Sequence, residues 1–268
     1  MQYLLKKNLI KILRYFSKRN ISFLTKRYAY KVTWGKRNKL MINEILAKKT
    51  IHLNRIWFDI GMPYIQLIHT PLISFSRAPI LFEETLTHEK MINLSTLLVD
   101  RISNSNQYVK WYKTFDTNRF DFVWSKLTSS EKSLINNKLD LVTLPVTTAH
   151  GDLSPRNVLF DAEGNIKIID WEYYRPHGSV VTDILRLHVF FYKLNPGFNG
   201  IFISSQFDIK EMLNQRIFSS LSSHLGISEE KLAILAALSN TSMNVAQNKD
   251  AIIRRVNQFK KSLSQIGP

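Results

Sequence analysis

His150, Asp152 and Asn157 fall within the stretch "HGDLSPRNVLF", and Asp170 stands in "IDWE" shortly after it. Asp152 and Asn157 are five positions apart and flank one loop. The segment that follows, "NVLF", "DAEGN", "IKIID", reads as a hairpin, with Gly164 and Asn165 supplying the turn chemistry. Such a hairpin folds back and carries Asp170 toward Asn157. Oxygen donors from Asp and Asn are what Mg²⁺ accepts, with phosphate oxygens and water completing the shell. Asp152 is then left to orient a hydroxyl and take its proton. Phosphoryl transfer asks for little else: a held metal, a positioned nucleophile and charge stabilisation. A chance polar loop is the competing reading, and a lone His-x-Asp does not decide against it. The whole constellation, in this order and at this spacing, does.

The elements that must position these residues are legible on both sides. "ISFLTKR" and "YAYKVTW" are β-branched and aromatic and predict two short strands. A helix follows over "KLMINEILAKKTIHL", and "PYIQLIHTPLIS" and "APILFEET" predict further strands. "HEKMINLSTLLVDRIS" has helical spacing. "TSSEKSLINNKLDLV" opens with a capping box, Thr128 and Glu131 satisfying each other's backbone amides. "PVTTAH" is a short strand that ends at the motif. After residue 180 the chain reads as amphipathic helices, with Gly226 as a helix stop. The class is α+β: a small β-rich lobe with one helix over residues 1–85, then a larger, mostly helical lobe over residues 86–268.

Composition narrows the chemistry. The chain has 268 residues, 44% of them hydrophobic, enough for two lobes with cores. It has no cysteine, which excludes disulfides, zinc–thiolate sites and a thiol nucleophile, and fits a reducing compartment. No apolar run reaches the roughly 18 residues of a membrane span, and the N-terminus lacks the continuous apolar core of a secretory signal. The expected location is the cytoplasm. The net charge of +16 is concentrated at the start: 14 of the 37 Lys and Arg precede residue 50, where Glu44 is the only acid. Residues 4–16 place Leu4, Leu5, Leu9, Ile12, Leu13 and Phe16 on one helical face among lysines. This is either a helix packed on its own lobe or a basic amphipathic helix for peripheral contact with an anionic membrane at its inner face. Nucleic acid rests on charge alone and has no motif behind it.

"HGDLSPRNVLF…IKIIDWEYY" resembles the aminoglycoside phosphotransferase and choline kinase family, distant relatives of protein kinases. Its catalytic loop pattern, H-x-D-x-x-x-x-N, and its metal pattern, I-D-x-E, are both complete here. The resemblance implies a protein-kinase-like two-lobe fold, ATP and Mg²⁺ as the nucleotide and metal, and a small-molecule or sugar hydroxyl as acceptor. It makes Asp152 the catalytic base, makes Asn157 and Asp170 the Mg²⁺ ligands, and has His150 hold the loop by hydrogen bonds. It also asks for a strand lysine on the α- and β-phosphates and a helix glutamate holding that lysine. Lys31 in "AYKVTW" and Glu44 in "MINEILAKK" fill those places, with Lys36 and Lys39 as rivals to Lys31. Glu83, Glu84 and Thr85, in "APILFEETL", stand where the connector meets the adenine, and Asp183 stands where a helix acid braces the catalytic loop.

One feature departs from the pattern. A phosphate-covering loop is ordinarily glycine-rich so that backbone amides approach phosphate. No glycine precedes Gly35, and the loop at that place is "FSKRNIS". Two functions follow from this. The first is an ATP- and Mg²⁺-dependent kinase for a hydroxyl on a small molecule or sugar, with a cell-surface glycan or lipid-linked acceptor suggested by the basic first lobe. The second is a pseudokinase that docks on membrane or protein through its basic N-terminal region. The absent glycines favour the second, and intact Asp152, Asn157 and Asp170 favour the first. Trp111 and Trp124, with Asp116 and Asp121, either line an acceptor pocket or belong to a helical core.

Overall fold

The computed structural model describes residues 20–25, 28–34, 36–51, 56–57, 59–60, 66–70, 72–79, 81, 86–102, 106–194, 216–243, 253, 256–257, 259–261 and 263. In chain order the elements begin with β1 (Asn20–Leu24), β2 (Tyr28–Trp34), α1 (Lys36–Thr50), β3 (Gln66–His69), β4 (Ile73–Pro79) and α2 (His88–Ile102). Next come β5 (Tyr108–Lys110), α3 (Thr117–Ser125), α4 (Ser129–Leu139), β6 (Thr143–Pro145), β7 (Thr147–Ala149), β8 (Val158–Phe160) and β9 (Ile166–Ile168). The last are β10 (Arg175–Gly178), α5 (Val180–Leu194), α6 (Arg216–Leu225) and α7 (Glu229–Met243).

The chain forms two compact units: residues 1–85 with 156–174, and residues 86–155 with 175–268. The first unit carries an antiparallel sheet in the order β1-β2-β4-β3 and the hairpin β8–β9. The single strand expected over "PYIQLIHTPLIS" is broken by a turn: Thr70 Oγ1 donates to Ile73 O and accepts from Ile73 N–H. Strand β4 pairs along its whole length with β2, from Ile73 opposite Trp34 to Pro79 opposite Tyr28, and takes in the first two residues of the strand expected over "APILFEET"; residues 80 and 82–85 of that stretch lie outside the described residues. Pro79 then ends the ladder, having no N–H to donate.

The segment 156–174 was expected with the larger lobe, and it packs with the first unit instead. Ile168 N–H donates to Ile60 O at 3.0 Å, and Asn43 Nδ2 donates to Glu172 O at 2.7 Å. The rings of Trp57 and Trp171, both fully buried, meet edge to face at 5.1 Å. Two buried indoles of this size outweigh continuity along the chain, at roughly 1.5–3 kcal/mol of hydrophobic stabilisation for each large side chain.

The second unit is built around α5. Residues Val180–Val189 are all buried, and α5 packs on α7 and α2. Helix α7 is buried from Leu232 to Leu238, and α2 buries Met91, Leu94, Leu98 and Ile102 along one face. The capping box at α4 is present: Glu131 N–H donates to Thr128 Oγ1, and Thr128 N–H to Glu131 Oε2. Gly226 closes α6 in the left-handed region, at φ +65°. Two short ladders complete the unit, β5 with β6 and β7 with β10.

Candidate active site

In the first unit, strand alternation puts Lys31 on the opposite face of β2 from Tyr30 and Val32, and α1 supplies Glu44. The Lys31 ammonium lies in a cage of three carboxylates. Its Nζ donates to Glu172 Oε1 at 2.6 Å, to Asp170 Oδ1 at 3.1 Å and to Glu44 Oε1 at 3.4 Å. Burial alone would lower the Lys31 pKa, but Asp170, Glu44 and Glu172 hold it well above the ordinary range. Burial pushes the Glu44 carboxyl up to about 7, with Lys31 opposing and the two neighbouring acids adding to the rise. Among the described residues, one cation faces three carboxylates there.

Asp170 sits just past β9 with φ +64°, the one non-glycine among the described residues with positive φ. Asp tolerates this left-handed conformation better than most residues, and the turn re-aims the carboxylate at the end of the strand. Asn157 closes a 3₁₀ turn, Pro155–Asn157, and is buried. Its carbonyl accepts from Ile169 N–H at 3.0 Å, which fixes Asn157 beside the residue preceding Asp170. The hairpin itself is set by Asp161, whose Oδ1 accepts the amides of Glu163 and Asn165, and by Gly164 at φ +82°.

In the second unit, β7 delivers His150 and Asp152. His150 is fully buried, and its Nδ1 accepts the backbone N–H of Asp152 at 3.1 Å. Asp183, in the first turn of α5, accepts two amides of the same loop: His150 N–H at 2.6 Å and Gly151 N–H at 2.9 Å. Burial raises the Asp183 carboxyl, while His150, Arg175 and the two amides pull it down. Beneath the loop, β10 approaches so closely that a Cβ on Gly178 would lie 2.6 Å from Ala149 Cβ. Arg186, also on α5, donates from Nη2 to Asp152 Oδ1, and its guanidinium lies over the Phe190 ring at 4.6 Å.

The structure therefore brings Lys31, Glu44 and Asp170 together, and ties His150 to Asp152. Glu83, Glu84 and Thr85 lie outside the described residues, as do the loop at residues 17–19 and the segment 4–16. Two residues were missed. Glu172 was legible in I-D-x-E, where only the Asp was given a role; Arg186 had no signal beyond its place on a helix three positions after Asp183. The aromatics of the 111–124 segment form a core cluster: Trp111 is buried and meets Phe115, Phe120 and Trp124 with ring centroids 5.6–6.3 Å apart.

The model of the "Phosphotransferase enzyme family" matches residues 99–211, the part that holds the loop at 150–157, Asp170 and α5. The chain resembles that family in sequence. No curated protein matches it. Among solved structures, the GDP complex of aminoglycoside 2'-phosphotransferase-IIIa is 11% identical with a TM-score of 0.55, over 96% of this chain and 93% of that one. Choline kinase LicA from Streptococcus pneumoniae is 12% identical with a TM-score of 0.52, over 99% of both chains. A thermostable mutant of aminoglycoside phosphotransferase APH(4)-Ia, in a ternary complex with ADP and hygromycin B, is 14% identical with a TM-score of 0.53, over 100% of this chain and 98% of that one. These likenesses establish the fold, which is the protein-kinase-like α+β fold expected from the sequence. No helix among the described residues is long and apolar enough to cross a membrane.

Proposed function

We propose that this chain is an ATP- and Mg²⁺-dependent phosphotransferase that moves the γ-phosphate to a hydroxyl of a small molecule or sugar. The observation that carries it is the Lys31–Glu44–Asp170–Glu172 cage, assembled from β2, α1 and the segment after β9. Three carboxylate oxygens there lie within 4.8 Å of one another, a set of hard donors that suits Mg²⁺. When bound, the metal neutralises charge on the nucleotide's phosphate oxygens. Asp170 and Asn157 would hold it. Lys31 would reach the α- and β-phosphates while Glu44 keeps its ammonium on station. Glu83, Glu84 and Thr85 are assigned to the adenine by the family pattern alone.

Asp152 is assigned as the base that orients the acceptor hydroxyl and takes its proton. His150 fixes the Asp152 amide and Asp183 fixes the two amides before it, so the loop backbone has three anchors. The narrower acceptor class is a glycan or lipid-linked sugar, supported by the basic charge of the first 49 residues. Peripheral membrane contact through residues 1–16 rests on the same charge.

The test is a thermal-unfolding scan with and without Mg²⁺–ATP, on wild type and Asp170→Asn. A ligand at about 100 times its Kd stabilises the native state by about 2.7 kcal/mol. The expected result is a Mg²⁺-dependent upward shift that Asp170→Asn abolishes. No shift with ATP or GTP would reject a working nucleotide site and turn attention to the pseudokinase reading.

A further inference from the structure

We infer that Arg186 is a positioning residue for the base: it holds the Asp152 carboxylate through Oδ1 and so sets the orientation in which that carboxylate meets the acceptor hydroxyl. This rests on the assignment of Asp152 as the base. Arg186 stands three positions after Asp183 on α5, so both side chains leave the same helix face. Asp183 binds the loop's backbone, through the amides of His150 and Gly151. Arg186 binds the side chain that the backbone presents, through Nη2 to Asp152 Oδ1. One helix face thus holds both the loop and the orientation of its reactive group.

The pair is built to stay formed. The Arg186 side chain is 5% exposed and that of Asp152 26%. A guanidinium so deeply buried needs a charged partner, because removing that partner leaves an uncompensated charge in a poorly solvated place. Phe190, one helical turn further on, offers its ring face to the guanidinium at 4.6 Å and limits its rotation. The planar fork of Arg suits a fixed contact with one carboxylate oxygen better than the mobile ammonium of Lys. The backbone anchors hold the loop, and the Arg186 contact ties the Asp152 carboxylate itself to α5. A base displaced by about 1 Å can lose on the order of 10²-fold in rate.

The experiment uses the full chain with Mg²⁺–ATP, reading ADP release with water as acceptor, together with the thermal midpoint. Four variants are compared with wild type: Arg186→Met, Arg186→Lys, Asp152→Asn, and Arg186→Met with Asp152→Asn. Arg186→Met is expected to lower kcat by about 10²-fold with KM for Mg²⁺–ATP within about twofold of wild type. Arg186→Lys recovers part of that loss. In the double variant kcat falls no further than in Asp152→Asn alone, since the two residues act as one unit. Its midpoint is also no lower than that of Asp152→Asn, where the guanidinium has already lost the Asp152 carboxylate. Arg186→Met turning over at the wild-type rate while Asp152→Asn is inactive would overturn the inference and leave Asp152 as base. Losses in kcat that simply add would overturn it too. Full turnover by Asp152→Asn would instead remove the base assignment itself.

Discussion

Replacing Lys31 by Met removes the one cation that, among the described residues, pairs with Glu44, Asp170 and Glu172, whose carboxylates lie within 4.8 Å of one another. The Glu44 and Glu172 side chains are 8% and 2% exposed, so water cannot take over from the ammonium; Asp170, at 39%, is better solvated. Breaking a buried pair typically costs about 3–5 kcal/mol. Protonation limits that cost. With Lys31 in place the Glu44 carboxyl already stands at about 7, and Lys31 is what restrains it from rising further. In Lys31→Met the folded Glu44 carboxyl therefore binds a proton over a pH range where the unfolded chain's does not. Stability then falls as pH rises, at about 1.4 kcal/mol per pH unit for each proton held only by the folded state. The expected result by urea unfolding is a variant several kcal/mol weaker than wild type at about pH 8 that regains much of the difference by about pH 6. Mg²⁺ without nucleotide should also stabilise the variant more than wild type, by supplying the missing positive charge. A stability gap that is unchanged across this pH range, or that widens on acidification, would refute the reasoning.

Two further outcomes test the scaffold. Gly178→Ala should destabilise by about 1–3 kcal/mol, because the new methyl would meet Ala149 Cβ at 2.6 Å and that atom is fixed to β7, the strand that leads into His150; an unchanged thermal midpoint would show that β10 yields freely. His188, buried on α5 with Nε2 at 2.7 Å from Ser95 Oγ, is lowered from 6.5 to about 3 by burial and by His88. Between those values the unfolded chain binds the proton and the folded chain does not, so stability falls as pH drops below about 6.5, by roughly 1.4 kcal/mol per unit. His188→Gln should flatten that limb in urea unfolding, and parallel curves for the two proteins would contradict it.

Much of this molecule could be read from sequence because its signals are local. The H-x-D-x-x-x-x-N and I-D-x-E spacings, the Thr128–Glu131 capping box and the Gly164 turn each lie within a few residues. Lys31 and Glu44, thirteen positions apart, met as expected at 3.4 Å because a strand and the helix after it pack on each other. What escaped was long-range. Glu172 makes the shortest contact to Lys31 across 141 positions. Arg186 reaches Asp152 across 34, from a helix whose own period says nothing of the loop it meets. The placement of 156–174 with the first unit depends on Trp57 meeting Trp171, which no spacing rule encodes.

On the proposed assignment of Asp170 as a metal ligand and Asp152 as the base, each carboxylate is paired with a cation of its own unit, and the choice of cation differs in a way that matches those tasks. Asp170 faces Lys31, whose side chain is 20% exposed on a flexible four-carbon stem and is shared among three acids. An ammonium so placed can release Asp170 and Glu172 for a phosphate while keeping Glu44, since a point charge needs no fixed angle. Asp152 faces Arg186, which is 5% exposed and lies over Phe190. That guanidinium has one geometry available and a large desolvation cost if it leaves. A metal-binding carboxylate must be given up by its resident cation when a ligand arrives; a base must hold one orientation throughout turnover. Exchanging the two cations tests this division directly: Lys31→Arg should bind Mg²⁺–ATP more weakly because the fork resists displacement, whereas Arg186→Lys should leave that binding unchanged and lower only kcat.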